Sequence, residues 1–205
     1  MDKRHIFLTS NGLTEKMKLK LFDVVKKNPQ EIKILFIPTA GMESDGARES
    51  FAIGMHELLS MGIRYENILI YNLELLLSKG YERTYSAYFQ EVPVPAKVLN
   101  VEELLHFDAV LVGGGDSTVL CREMVRTGFD ESLKQAIEQG LVYVGISAGS
   151  MYAAGNLHDG LHLIENPVIP HWSGEKRTEL PRENGDILLA DGQVVSIDEN
   201  GVKLL

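Results

Sequence analysis

Residues 145–150 read Gly-Ile-Ser-Ala-Gly-Ser and stand between the apolar run 141–144 and the small-residue stretch 151–154. The apolar run is typical of a buried strand, and the small-residue stretch is typical of the start of a helix. A structural turn needs one glycine here, whereas a serine that presents its hydroxyl at a sharp bend needs small neighbours on both sides. The stretch therefore predicts either an ordinary turn or an exposed, reactive Ser147.

Short β-branched runs alternate with longer amphipathic segments along the chain. The pattern predicts strands at 6–8, 32–37, 67–71, 109–112 and 141–146, and helices at 14–28, 46–61, 117–126 and 131–139. This alternation predicts an α/β fold, with a parallel sheet covered by helices on both faces. Residues 187–205, with turn signals at 191–192 and 200–201, predict a C-terminal antiparallel element. We expect a single domain over 1–205, with an excursion at 73–100.

Composition narrows the classes of function. The chain of 205 residues is 44% hydrophobic and 24% charged, as in an ordinary globular protein. Its net charge of −9 argues against nucleic-acid binding, which needs clustered lysine and arginine. The single cysteine, Cys121, fits a reducing compartment, and the N-terminal apolar stretch is too short for a signal peptide or a membrane span. We therefore expect a cytoplasmic protein with no membrane partner.

Glycine-rich or proline-containing loops come directly after three of the predicted strands. They are residues 38–41 (Pro-Thr-Ala-Gly), 113–116 (Gly-Gly-Gly-Asp) and 145–147 (Gly-Ile-Ser). In a parallel sheet the carboxyl ends of the strands carry the functional loops. These three loops are therefore expected to lie side by side.

A serine becomes a strong nucleophile only when a base takes its proton. Three histidines come after Ser147, at 158, 162 and 171, and His171 is the best candidate because it comes directly after the apolar strand-like run 168–170. His158 and His162 are four residues apart and could share a metal, but a turn signal separates them and no third ligand is suitably spaced. The sequence therefore predicts a Ser147–His171 pair and no metal or other cofactor.

Acyl transfer at a serine also needs backbone N–H groups that face the developing oxyanion. The N–H of Ala148, directly after the serine, is one candidate, and the adjoining helix favours an anion there. The loop 113–115 is the other candidate, because glycines let the backbone approach a substrate closely. Either a substrate site or a simple turn explains the glycines alone, and the neighbouring serine favours the site.

Three motifs occur in an order that resembles the serine peptidase family of dipeptidase E, the aspartyl dipeptidases, to which cyanophycinases are related. They are 113–118 (Gly-Gly-Gly-Asp-Ser-Thr), 145–150 (Gly-Ile-Ser-Ala-Gly-Ser) and 170–172 (Pro-His-Trp). The resemblance runs from about residue 5 to the C-terminus. It implies a class I glutamine-amidotransferase-like α/β fold, a flavodoxin-like three-layer sandwich, with serine in place of the amidotransferase cysteine.

The resemblance also implies roles for individual residues. Ser147 would be the nucleophile, His171 the general base and acid, and Gly114 and Ala148 the oxyanion donors. In the family an acidic residue between the serine and the histidine orients the imidazole, and Asp159 is the nearest match, with Glu165 second. Arg177 lies where the family carries the arginine that reads an aspartyl side chain, or it is one of several exposed arginines.

Asp116 has two interpretations, a helix N-cap before Ser117 or a substrate contact, and the sequence favours the cap. The segment of 23 residues between Ser147 and His171 is shorter than in the family. We expect a serine hydrolase that cleaves small peptides, foremost dipeptides with an N-terminal aspartate, and that could form a homodimer. The alternatives are an amidase or hydrolase of another small acyl substrate, and a binding protein on the same fold that has lost turnover.

Overall fold

A seven-stranded sheet forms the centre of the protein. The structure, a computed structural model, describes residues 4–42, 46–77, 79, 97–174 and 185–205. The strands of the described residues, in chain order, are β1 (Ile6–Thr9), β2 (Ile34–Ile37), β3 (Ile68–Ile70), β4 (Ala109–Val112), β5 (Val142–Ile146), β6 (Val168–Ile169), β7 (Ile187–Leu188), β8 (Val194–Asp198) and β9 (Gly201–Leu204). The helices that position the site are α1 (Glu15–Val25), α2 (Ala47–Ser60), α3 (Val101–Leu104), α4 (Ser117–Thr127), α5 (Phe129–Glu138) and α6 (Ala148–Ala153).

The strand order of the main sheet is β3-β2-β4-β5-β1-β8-β9. The first five of these strands are parallel, whereas β8 and β9 join as an antiparallel hairpin at the β1 edge. Strands β6 and β7 form a separate two-stranded parallel pair. This architecture confirms the predicted α/β class with helices flanking a mostly parallel sheet. The β8–β9 hairpin confirms an antiparallel element at the C-terminus, but residues 187–188, at the start of the predicted element, pair in parallel with β6.

Apolar side chains cover both faces of the sheet. Helices α4, α5 and α6 bury residues such as Leu120, Phe129 and Tyr152 on one face. Helices α1 and α2 bury residues such as Met17 and Leu58 on the other. Strands β2 and β4, in the interior of the sheet, are buried on both sides, which is why their sequences are continuous apolar runs rather than alternating ones.

The buried face of α1 differs from the one that the sequence suggested. The spacing of Leu19, Phe22 and Val25 predicts that these residues face the core; Phe22 and Val25 pack against it, but Leu19 is 69% exposed. Met17 and Leu21, four residues apart, are the fully buried residues of the helix. A helix whose apolar residues surround much of its circumference does not reveal its inner face from spacing alone.

The three loops at the carboxyl ends of β2, β4 and β5 lie next to one another, as predicted. The N–H of Asp116 donates to the carbonyl of Ala40 at 2.7 Å, which joins the β4 loop to the β2 loop. A Cβ atom added to Gly114 would lie 3.3 Å from the Cβ of Ser147, so the β4 and β5 loops are also in contact. The sheet therefore brings the serine loop and the glycine loop to one edge.

Among the helices in the described part of the chain, none combines the length and the apolar character that crossing a membrane requires.

Candidate active site

Ser147 occupies a sharp bend between β5 and α6. Its φ of 48° and ψ of −104° place a non-glycine residue in an unfavourable backbone region. A Cβ on Gly145 would lie 2.7 Å from the carbonyl carbon of Gly149, and one on Gly149 would lie 2.3 Å from the carbonyl oxygen of Val112. Both glycines are therefore required by close backbone approach, and the bend has the geometry of a nucleophile elbow.

His171 lies directly after β6 and faces Ser147. The Nε2 atom of His171 is 3.0 Å from the Oγ atom of Ser147, within the range of a hydrogen bond. The histidine also has a positive φ, 57°. The two residues are 24 positions apart in sequence, and the fold brings their side chains into contact as predicted.

The second ring nitrogen of His171 contacts a carboxylate that the sequence analysis did not select. The Nδ1 atom lies 3.2 Å from the Oδ1 atom of Asp191, in the turn between β7 and β8. The pKa of Asp191 is held below its usual range, chiefly because the Ser10 hydroxyl donates a hydrogen bond to the carboxylate. Burial raises this pKa by a smaller amount, and the hydrogen bond to His171 lowers it further. An ionised aspartate at Nδ1 favours the tautomer in which Nε2 can accept a proton from the serine.

Ser10, at the end of β1, joins the histidine and the aspartate. Its hydroxyl donates to Oδ1 of Asp191 at 2.6 Å and accepts the backbone N–H of His171 at 2.7 Å. Ser10 is fully buried. One fixed hydroxyl therefore positions both the carboxylate and the backbone of the imidazole, and its hydrogen bonds join residues from three separate parts of the chain.

Asp159, the acidic partner suggested by family resemblance, does not lie beside His171. Its Oδ1 atom contacts the Nδ1 atom of His158 at 2.7 Å. The loop that carries it folds back on the C-terminal end of α6, since the N–H of Leu161 donates to the carbonyl of Tyr152. Ser147 precedes the other end of the same helix, so Asp159 and Ser147 lie beyond opposite ends of α6, and the prediction for Asp159 is wrong.

Glu165, the second candidate for the acid, also lies beyond the C-terminal end of α6. Its side chain is exposed. Its backbone carbonyl oxygen lies so close to Gly155 that a Cβ atom on that glycine would clash with it. Neither acid between the serine and the histidine therefore occupies the position at Nδ1. That position is taken by Asp191, which comes after the histidine in sequence.

The two predicted oxyanion donors flank Ser147. Ala148 is the first residue of α6, where a backbone N–H has no partner within the helix. Gly114 lines the same cavity as Ser147. The next residue, Gly115, has a φ of 134°, and a Cβ on it would lie 2.1 Å from the carbonyl oxygen of Ala40. The glycine loop thus packs against the β2 loop at a distance that a side chain on Gly115 would not permit.

Asp116 caps α4 instead of facing the cavity. Its Oδ1 atom accepts the N–H groups of Thr118 at 2.7 Å and Val119 at 3.4 Å. These backbone hydrogen bonds, in that order of importance, lower the pKa of the Asp116 carboxyl. The N-cap interpretation accounts for its contacts, and Asp116 is absent from the described lining of the cavity. The other predicted substrate residue, Arg177, lies outside the described residues.

His158 and His162 do not converge on a metal position. The Nδ1 atom of His158 contacts Asp159, and the Nε2 atom of His162 lies 3.0 Å from the backbone carbonyl of His158. In the described ranges, no three histidine, cysteine or acidic side chains are grouped as metal ligands.

A cavity of about 160 Å³ opens beside Ser147 and His171. This volume is below the range of about 300–1,000 Å³ that is typical of pockets for drug-sized ligands. Apolar side chains from three elements line it, namely Phe36, Ile53 and Ile146, together with one acidic residue, Glu57. The space next to the serine is therefore small.

Comparisons with known proteins identify the fold. The Listeria monocytogenes EGD-e crystal structure of a proposed peptidase E superposes with a TM-score of 0.66 at 22% identity, over 98% of both chains. A peptidase from an acI-B1 Actinobacterium superposes with a TM-score of 0.63 at 16% identity, over 100% of this chain and 88% of the other. The pyridoxal 5'-phosphate synthase subunit PdxT of Pyrococcus horikoshii is 36% identical over 38% of this chain and 41% of its own length. The fold is class I glutamine-amidotransferase-like.

The family is given by the sequence match. Peptidase family S51 matches residues 89–205, more than half of the chain, and the protein belongs to that family. Peptidase E of Streptomyces coelicolor is 44% identical over 37% of this chain and 40% of its own length. An uncharacterized peptidase of Listeria monocytogenes, Lmo0363, is 24% identical over 88% of this chain and 83% of its own. The chain thus spans about two fifths of the length of the Streptomyces and Pyrococcus relatives that it matches.

Proposed function

We propose that this peptidase is a serine hydrolase that cleaves small peptides through an acyl-enzyme formed on Ser147. The observation that carries the proposal is the continuous contact from the Ser147 hydroxyl to His171 at 3.0 Å and on to Asp191 at 3.2 Å. A nucleophile, a base and an orienting acid in that arrangement form a catalytic triad whatever their order in sequence.

The steps of the proposed reaction depend on these positions. Nε2 of His171 accepts the proton of the Ser147 hydroxyl as the oxygen attacks the peptide carbonyl. The backbone N–H groups of Ala148 and Gly114 are the proposed donors to the oxyanion. His171 then gives its proton to the leaving amine, and water, activated by the same imidazole, releases the acyl group from Ser147. Asp191 stays ionised and stabilises the imidazolium.

The size of the site supports a small substrate. A cavity of about 160 Å³ next to the serine has room for one residue on the acyl side of the scissile bond rather than for a long peptide. A preference for an N-terminal aspartate is the finer proposal, and it rests on the resemblance to dipeptidase E and on Arg177 as the cation that reads the carboxylate.

The alternative of a binding protein without turnover is supported by the short segment between Ser147 and His171, which leaves little room for an acid. The contact of Asp191 with His171 argues against that alternative, because the acid is supplied from the other side of the histidine.

Two measurements test the proposal. A fluorophosphonate probe should label the wild type and the control Ser60→Ala, whose serine is exposed at the end of α2, but not Ser147→Ala. A panel of Asp-X, Asn-X and Ala-X dipeptides should show hydrolysis that Ser147→Ala abolishes. Equal labelling and equal rates for the wild type and Ser147→Ala would refute the serine mechanism, and equal rates across the panel would refute the aspartyl preference alone.

A further inference from the structure

Glu57, on α2, places a carboxyl group in the wall of the cavity that holds Ser147 and His171. Its Oε1 atom accepts the backbone N–H of Leu13 at 3.0 Å. Its Oε2 atom is buried and has no hydrogen-bond partner among the described residues. Of the described residues that line the cavity, Glu57 alone carries an acidic side chain, and none is a lysine or an arginine.

A buried carboxyl oxygen without a hydrogen-bond donor destabilises the protein, because it has lost its hydrogen bonds to water and formed no others. The apolar side chains of Phe36 and Ile53 in the same wall lower the local dielectric, which makes an ion pair there stronger and an unpaired charge worse. A cationic ligand that donates to Oε2 would remove this cost. The free oxygen therefore indicates what the cavity binds.

The chemistry of the proposed reaction places a cation in this space. When Ser147 attacks the first carbonyl of a peptide, the α-amino nitrogen is only two bonds from the attacked carbon, or about 2.5 Å away. A free N-terminus is protonated near neutral pH, whereas an acylated one carries no charge. The group that must lie beside the nucleophile is thus a compact ammonium with hydrogen-bond donors.

We propose that Glu57 binds the free α-ammonium group of the substrate and so restricts cleavage to the first peptide bond of a chain. The inference rests on the proposed serine mechanism and adds to it the recognition of an unblocked N-terminus. Oε2 accepts the hydrogen bond from the ammonium, while Oε1 keeps its bond to Leu13 and holds the carboxyl group in place.

The test uses two substrates that differ only in charge at the N-terminus, Asp-p-nitroanilide and N-acetyl-Asp-p-nitroanilide. We expect the wild type to prefer the free amine. Glu57→Gln keeps an oxygen acceptor for Leu13 but removes the charge, so kcat/KM for the free amine should fall by about 10- to 100-fold, mainly through KM, with little change for the acetylated substrate. Glu49→Gln, an exposed residue of the same helix, should change neither.

Equal loss on both substrates, with a lower melting temperature, would assign Glu57 to holding Leu13 and would overturn the proposal. Equal cleavage of both substrates by the wild type would overturn it as well. If the wild type cleaves neither substrate, the proposed hydrolysis of aspartyl substrates has failed, and calorimetric titration of Asp-Leu and N-acetyl-Asp-Leu decides the Glu57 question separately. Binding of Asp-Leu alone, lost in Glu57→Gln, would support the ammonium site, and equal or absent binding would exclude it.

Discussion

The protein contains two histidine–aspartate contacts that differ in their surroundings. His158 and Asp159 are adjacent in sequence, lie 2.7 Å apart, and the His158 side chain is 97% exposed. His171 and Asp191 are 20 positions apart and 3.2 Å from each other, and both side chains are about half exposed. The longer contact is the one that reaches a serine, so the distance between two side chains does not by itself identify catalytic machinery.

What separates the two pairs is the third group. In the described part of the chain, the ring of His158 is hydrogen-bonded to Asp159 alone, whereas the ring of His171 lies between Asp191 and Ser147. Ser10 fixes the His171–Asp191 pair through two short hydrogen bonds. Fixed geometry on both ring nitrogens is therefore the feature to test, and matched variants at the two pairs provide the controls.

The largest difference is expected between the two histidines. His171→Ala removes the base, and kcat should fall by about 10⁵- to 10⁶-fold, as is usual when one member of a triad that acts as a unit is lost. His158→Ala should retain wild-type activity, because the exposed ring contacts no reacting group. Steady-state kinetics on the best dipeptide measures both. Similar losses in the two variants would remove the distinction between the pairs.

The next largest difference is expected between the two aspartates. Asp191→Asn keeps the shape but no longer favours the tautomer with a free Nε2, and kcat should fall by about 10⁴-fold. Asp159→Asn should be close to the wild type in kcat. If Asp159→Asn proved the more damaging change, the carboxylate between the serine and the histidine would be the true orienting acid after all.

A smaller effect is expected from Ser10→Ala, since Ser10 is a positioning residue that touches no substrate. Loss of its hydroxyl frees the His171 backbone and the Asp191 carboxylate, and kcat should fall by about 10- to 100-fold. The pKa of Asp191 should rise towards its ordinary value, which moves the acid side of the pH–rate profile upward. A lower melting temperature with an unchanged kcat and pH profile would mean that Ser10 serves only the fold.

The smallest effect is expected from Asp191 on the free energy of unfolding and its dependence on pH. The folded state lowers the pKa of Asp191, so its ionised form stabilises the protein above the unfolded carboxyl pKa of about 4, and this contribution is lost as the pH falls through the lower folded value. The side chains of Asp191 and His171 are both more than half exposed, so their interaction should contribute at most about 1 kcal/mol to the free energy of unfolding. Urea unfolding of the wild type and Asp191→Asn between pH 2 and 6 measures it. If the difference in unfolding free energy between the wild type and Asp191→Asn does not become smaller below pH 4, this account is contradicted.

The parts of the site that were predictable from sequence are those with a local signature. Gly145, Ser147 and Gly149 form a contiguous motif whose steric reason can be worked out from the residue types alone. His171 could be found because a histidine directly after a strand-like run stands at the end of that strand. The loops of β2, β4 and β5 could be placed together because parallel strands end at one edge.

Asp191 could not be found in this way. An Asp-Gly pair between two apolar runs is the usual signal of a turn, and residues 191–192 do form one. Its place beside His171 depends on the pairing of β6 with β7, two residues each, which carries almost no sequence signal. The one available clue was positional, since Asp191 comes after its apolar run 187–190 much as His171 comes after 168–170. Glu57 was missed for another reason, because an acid on a helix is commonly a solvated residue.

The backbone at Ser147 and His171 has a further consequence. Among the described non-glycine residues, both belong to the few with positive φ, a conformation that costs on the order of 1–3 kcal/mol at each position. Glycine would relieve that strain at both places, so Ser147→Gly or His171→Gly should give an inert protein that melts at a higher temperature than the working one. Selection for heat resistance alone would therefore act against the strained backbone on which the proposed hydrolysis depends.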